Sequence, residues 1–183
     1  MAVKKRGNVK KRQPINTDRM VPVVPLTENQ KKIFKAWDEG KHLFIYGAAG
    51  TGKTFCALYK GLYDCLKATP SYDQVYLVRS LVATREIGFL PGDHEDKSSL
   101  YQIPYKNMVK YMFEAASDTD FEMLYGSLKS QETIKFWSTS FLRGVTLDNS
   151  VVIIDEMQNL NFHELDSIIT RAVSYTHLTL PTK

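Results

Sequence analysis

Residues 44–55 read FIYGAAGTGKTF. A short apolar run opens into glycines and closes on a lysine and a threonine, so that Gly47, Gly52, Lys53 and Thr54 satisfy G-x-x-x-x-G-K-[ST]. In such a loop the glycines let the backbone curl until successive N–H groups, from about Ala49 to Thr54, face one point. The positive end of the following helix dipole reinforces them there. The ligand is therefore a phosphate chain, bound by Gly47, Ala48, Ala49, Gly50, Thr51, Gly52, Lys53 and Thr54. Lys53 is expected to reach the β and γ phosphates, and the Thr54 hydroxyl to ligate Mg²⁺.

The loop lies where its mechanism requires. HLFIYG before it reads as a buried strand, and GKTFCALYKGLYDCLKA after it as a helix. Upstream, Thr27 sits three residues before Gln30, a capping-box spacing, and Ile33, Phe34 and Trp37 recur at helical intervals until Gly40. Gln30 has two readings. Its amide can close the capping box, or it can read the donor and acceptor edge of an adenine base.

Downstream, DQVYLVRS at 73–80 predicts a second strand, KFWSTSF a third, and VVIID a fourth, with a helix from about Asn161 through ELDSIITR. Between residues 81 and 130, GFLPGD reads as a turn and YKNMVKYMFEAA as a helix with Met108, Tyr111 and Met112 on one face. The alternation predicts an α/β fold, a parallel sheet flanked by helices. The fourth strand ends on Asp155 and Glu156. A buried strand delivers Asp155 beside the phosphate loop to hold the Mg²⁺ shell, and Glu156 is assigned as general base for a water attacking the γ phosphate.

Composition narrows the setting. A chain of 183 residues, 43% of them hydrophobic, suits one domain. Its two cysteines, Cys56 and Cys65, fall in one predicted helix, which argues against a disulfide framework and for a reducing, cytoplasmic setting. No run approaches the ~18 apolar residues of a membrane span. Residues 1–20 hold seven Lys/Arg against one Asp, while the remainder holds 17 basic against 19 acidic residues. The head, residues 1–22, is thus read as a disordered basic arm: a solubilising tail, or a sequence-independent contact to a nucleic-acid backbone.

GAAGTGKT, REIGFLPGD (85–93), TSFLRGVTLDNSVVIIDEMQN (139–159) and ELDSIITR together resemble the PhoH-like proteins, over about residues 23–171. The form TREIGFLPGD and the Arg-Ser after the second strand resemble most the versions carried by tailed bacteriophages. The resemblance implies a RecA-like P-loop NTPase core related to superfamily-one helicases. It also implies use of ATP with Mg²⁺, a role on single-stranded RNA or DNA and, by analogy of fold alone, a homo-oligomer. It matches Asp155 and Glu156 to the metal and water-activating pair and Gln158 to a glutamine reporting the γ phosphate. Arg79, Arg85 and Arg143 fall on the side where a nucleic-acid strand would lie, or are surface salt-bridge partners; Tyr101, Tyr105 and Tyr125 fit a stacking groove, although aromatics at such spacings are more often core. Met157 departs from the family's usual alanine.

After Arg171 the family pattern calls for glycine, a strand and a Gly-Asp-x-x-Gln sensor, where this chain reads AVSYTHLTLPTK. Residues 172–183 are therefore read as a non-native tail on a truncated frame. On this reading the fold is incomplete at its C-terminus, lacking a core strand and the sensor; nucleotide binding survives and hydrolysis is impaired. Two other functions compete with a nucleic-acid-coupled ATPase. One is a regulatory switch that uses ATP occupancy to change a partner interface. The other, a small-molecule kinase, is disfavoured because Glu156 directly after Asp155 suits water as the acceptor.

Overall fold

The structure of the chain is a computed structural model that describes residues 15–80, 94–139, 146–172 and 176–182, with 94–100 described in backbone only. Among the described residues, five strands form one parallel sheet: β1 (Leu43–Tyr46), β2 (Gln74–Arg79), β3 (Ile134–Ser138), β4 (Ser150–Asp155) and β5 (His177–Thr182). Their order across the sheet is β1-β5-β4-β2-β3. The accompanying α-helices among the described residues are α1 (Glu28–Asp38), α2 (Lys53–Leu66), α3 (His94–Met112), α4 (Asp118–Ser130) and α5 (Phe162–Ile169).

Alternation along the strands sends side chains to two cores. Leu43, Ile45, Val75, Leu77, Ile134, Val151 and Ile153 meet helices α1 to α4 on one face. Tyr76, Val78, Val152, Ile154 and Leu178 meet Ile168 of α5 on the other. Helix α2 lies tight against the sheet, and a Cβ at Gly61 would approach Val151 Cγ1 to 3.2 Å and Val75 Cγ2 to 3.3 Å. Glycine there lets the phosphate-loop helix seat directly on the strands. Helix α1 is tied to it by Trp37 Nε1 donating to Asp64 Oδ2 at 2.7 Å and by the Lys60–Asp38 ion pair at 2.5 Å.

The predicted strands and flanking helices are all present, and the fold is the expected α/β parallel sheet. Several features differ from the sequence reading. Helix α4 was not foreseen: Ser117 caps it by accepting from Asp120 N at 3.1 Å, and Phe121, Leu124, Tyr125 and Leu128 form its buried stripe. On α3 the buried stripe is Tyr105, Val109 and Met112, whereas Tyr111 is exposed. Tyr105 and Tyr125 are buried core residues, which removes them as stacking platforms.

The expected disorder of residues 1–22 does not extend over 15–22. There a 3-10 turn at Thr17–Arg19 leads to Met20, buried in the main core, while Arg19 pairs with Asp120 at 2.6 Å and Val21 N donates to Met112 O. Residues 1–14 lie outside the described residues, as do the predicted turn GFLPGD and residues 140–145.

The largest correction concerns the C-terminal segment. The sheet does not lack the strand that was expected to be missing: β5 fills the position between β1 and β4, pairing Leu43–Tyr46 with Thr179–Thr182 and Val151–Ile153 with His177–Thr179. It does so with unsuitable chemistry. His177 and Thr179 are 2% and 0% exposed, and His177 Nε2 and Thr179 Oγ1 have no hydrogen-bond partner among the described residues. Pro181 stands opposite Ile45 in an interior strand, where proline cannot donate to the ladder. Among the described residues no helix is long and apolar enough to cross a membrane.

Candidate functional site

Strand β1 delivers the chain to Gly47, and the loop turns through Gly50 and Gly52 at φ 76° and 80° into the first turn of α2. That left-handed conformation is the reason for glycine at position 52, and a Cβ there would also meet Gln30 Nε2 at 3.3 Å. Ala48, Ala49, Gly50 and Thr51 lie at the surface, so the loop and the unpaired N–H groups of the helix N-terminus open to solvent. Thr51 Oγ1 donates to Ala48 O at 2.9 Å, and Lys53 Nζ arches back to Gly47 O at 2.9 Å and Ala48 O at 2.7 Å. The ammonium thus stands at the mouth of the loop, where a phosphate oxygen can replace these carbonyls as its acceptor.

Gln30 closes the capping box and does more. Its Oε1 accepts from Leu26 N at 2.8 Å and Thr27 N at 3.3 Å, and its Nε2 donates to Thr51 O at 3.2 Å. The amide therefore bridges the start of α1 to the phosphate loop.

Strand β4 ends at Asp155, directly beside the start of α2. Thr54 Oγ1 donates to Asp155 Oδ1 at 2.9 Å, and Tyr105 OH donates to Asp155 Oδ2 at 2.6 Å. Burial, then the charge of Asp155, pushes the Tyr105 hydroxyl well above the ordinary phenol range, with Arg79 acting in the opposite sense. It is a protonated donor at any physiological pH. Glu156 follows in the left-handed region, at φ 52° and ψ 43°, which turns its carboxylate out of the strand direction. Gln158 Nε2 donates to Glu156 Oε2, and Gln158 Oε1 accepts from Thr182 Oγ1 at 2.5 Å. Gly50, Lys53, Thr54, Asp155, Glu156 and Thr182 line one cleft of about 300 Å³.

The oxygen donors suit Mg²⁺. A hydroxyl and a carboxylate oxygen within 2.9 Å can share one small hard cation, which takes one or two protein ligands and completes its shell with water and phosphate oxygens. Among the described residues no group of three or more His, Cys, Asp or Glu converges as an all-protein metal cage.

The sequence-derived residues of the phosphate loop, the carboxylate pair and Gln158 thus meet in one place. Arg79 ends β2 opposite Asp155 in register, with its Cζ 6.0 Å from the Tyr101 ring centroid. Arg85 and Arg143 lie outside the described residues. Sequence reading missed Tyr105 as a partner of Asp155, and Thr182, which it had set aside with the C-terminal segment.

A parallel sheet whose first strand runs into a glycine-rich anion loop, and whose interior strand ends on a carboxylate bonded to that loop's threonine, defines a P-loop nucleoside triphosphatase fold. Within that class the chain belongs to the PhoH-like protein family, whose model matches residues 22–179. It is 33% identical over 150 residues to a PhoH-like protein of Mycobacterium leprae (strain TN), covering 81% of this chain and 40% of that one. Protein PhoH2 of Bacillus subtilis (strain 168) is 30% identical over 128 residues, covering 69% of this chain and 28% of that protein. Protein PhoH of Escherichia coli (strain K12) is 27% identical over 151 residues, covering 82% and 41%. The chain thus spans less than half the length of these curated relatives. A solved structure of the large terminase from a thermophilic bacteriophage, in complex with ADP, aligns with a TM-score of 0.48 at 14% identity, covering 86% of this chain and 39% of that one.

Proposed function

We propose that this domain is a Mg²⁺-dependent ATPase of the PhoH type, coupled to single-stranded RNA or DNA. The observation that carries the reading is the Thr54–Asp155 contact at 2.9 Å, which puts phosphate loop, metal oxygens and Glu156 around one cleft. Thr54 and Asp155 would hold Mg²⁺, which would neutralise the charge that develops on the phosphates. The loop N–H groups and Lys53 hold the phosphates. Glu156 orients a water and accepts its proton as the water oxygen bonds to the γ phosphorus, while the bond from that phosphorus to the β–γ bridging oxygen breaks and ADP leaves. Gln158, hydrogen-bonded to Glu156, is suited to report whether a γ phosphate is present.

The nucleic-acid part rests on the basic head of the sequence, on Arg79 at a strand end beside Tyr101, and on the family-like positions of Arg85 and Arg143. Two buried free thiols, Cys56 and Cys65, suit the reducing cytoplasm, that of a bacterial host if the chain is phage-encoded.

The test is phosphate release from Mg-ATP by the whole chain, with and without single-stranded RNA or DNA, against Lys53→Ala. Release that nucleic acid stimulates and Lys53→Ala abolishes is expected; release indifferent to Lys53→Ala overturns the reading. A regulatory switch is the second reading, favoured by one contact: the Glu156 carboxylate is engaged by Gln158. ATP binding with no release under either condition selects it.

A further inference from the structure

We infer that Tyr105 is a positioning residue for the metal-binding aspartate: its hydroxyl pins Asp155 Oδ2, leaving Oδ1 to face Thr54 and the cation as a single oxygen ligand. The inference rests on the Mg²⁺-nucleotide reading of the site and adds to it a residue from a different helix. Asp155 is held at both oxygens, by Thr54 at 2.9 Å and by Tyr105 at 2.6 Å. The terminal torsion of a carboxylate is soft and roughly two-fold, so one contact leaves its plane free to turn and two contacts fix it. Tyr105 is itself rigid. It is 3% exposed, lies on the buried stripe of α3 with Val109 and Met112, and packs against Phe136 of β3 at 5.6 Å between ring centroids.

The consequence is selectivity among hard cations. Mg²⁺ demands near-ideal octahedral geometry and takes single carboxylate oxygens, whereas Ca²⁺ accepts two oxygens of one carboxylate in a looser shell. An aspartate whose second oxygen is occupied by a phenol is restricted to the first mode. Outer contacts of this kind typically change metal affinity or activity by about 10- to 100-fold when removed.

The experiment is metal-dependent binding of a fluorescent N-methylanthraniloyl-ATP by the whole chain, titrated with Mg²⁺ and, separately, with Ca²⁺. Tyr105→Phe keeps the ring and removes the hydroxyl. We expect half-saturating Mg²⁺ to rise roughly tenfold while Ca²⁺ moves by less and binding in chelator is unchanged. A Mg²⁺ shift below about threefold, a tightening, or an equal shift for Ca²⁺ overturns the inference. Phe136→Leu disturbs the same packing without touching the hydroxyl, and a Mg²⁺ shift as large as that of Tyr105→Phe reduces the tyrosine to core filling. Failure of the hydrolysis reading shows separately, as absent phosphate release with metal-dependent binding intact. Binding that does not distinguish the wild-type chain from Lys53→Ala overturns both.

Discussion

The Thr54 hydroxyl donates to Asp155 at 2.9 Å across 101 residues of sequence, from an element that follows β1 to the end of β4, with β5 lying between those strands. Thr54→Val is nearly isosteric and removes one metal oxygen and the donor to Asp155. Phosphate release should fall at least about tenfold, with thermal unfolding little changed. Asp155→Asn, which removes the charge, should lower release by about 100-fold. Steady-state release at saturating Mg-ATP checks both, and activity retained in Asp155→Asn excludes this carboxylate from the metal shell.

Glu156 holds φ 52°, a region costly for most side chains and well tolerated by asparagine. Glu156→Asn should therefore unfold at the same temperature or higher, with a gain of roughly 1 kcal/mol or less. Phosphate release should drop about 100-fold or more while nucleotide binding persists, because the substitution takes the base and its Gln158 contact and leaves the phosphate loop intact. Loss of binding in this variant would instead make Glu156 part of the nucleotide cradle.

Both ends of the Gln30 amide are engaged within the chain, at Leu26 and Thr27 on one side and at Thr51 on the other. Gln30→Ala should destabilise the start of α1 by about 1 kcal/mol and weaken ATP and GTP by similar factors. Competition binding with the two nucleotides reads this directly, and a selective loss of ATP selects the base-reading role.

His177 packs tilted against Trp37 at 3.9 Å between ring centroids, and burial, assisted by His42 and Lys60 and opposed by Asp64, lowers its pKa to about 4. In the unfolded chain the imidazole titrates near its ordinary value of 6.5. Between those values the unfolded state binds the proton and the folded state does not, so stability is complete above the upper value and is lost as pH falls toward the lower. The loss between pH ~7.5 and ~5 should be about 2 kcal/mol. Urea unfolding across that range, taken as the difference between the wild-type chain and His177→Leu, isolates it; identical slopes place the imidazole in contact with water.

Thr179 is fully buried, its hydroxyl unpaired among the described residues. Thr179→Val preserves shape and removes the burden, and should raise stability by roughly 1 kcal/mol. Chemical denaturation measures it, and a destabilised variant indicates a partner for that hydroxyl.

Much of the site was legible because it is local. Glycine spacing, the Lys53–Thr54 pair and the strand VVIID state their structure within a dozen residues, and the capping box at Thr27 marks where α1 begins. What escaped is non-local. The Tyr105–Asp155 bond joins residues 50 apart, and nothing near Tyr105 in the chain announces it. Helix α4 hid its stripe behind exposed Met123, acids in its first turn and Gly126. Strand β5 carries histidine, threonines and proline where apolar residues are the usual signal, so its burial follows from the gap it fills.

That gap orders events during synthesis. The two halves of the nucleotide site are made first, and the strand that separates them is made after both. Neighbouring strands lie about 4.8 Å apart, so β1 pairing directly with β4 would bring the phosphate loop and Asp155 one strand spacing too close. A growing chain therefore carries the phosphate loop and the Asp155–Glu156 pair before it carries the strand that holds them apart. Residues 177–182 pair with β1 on one side and β4 on the other, so the width of the site is set by a strand made after both of its halves.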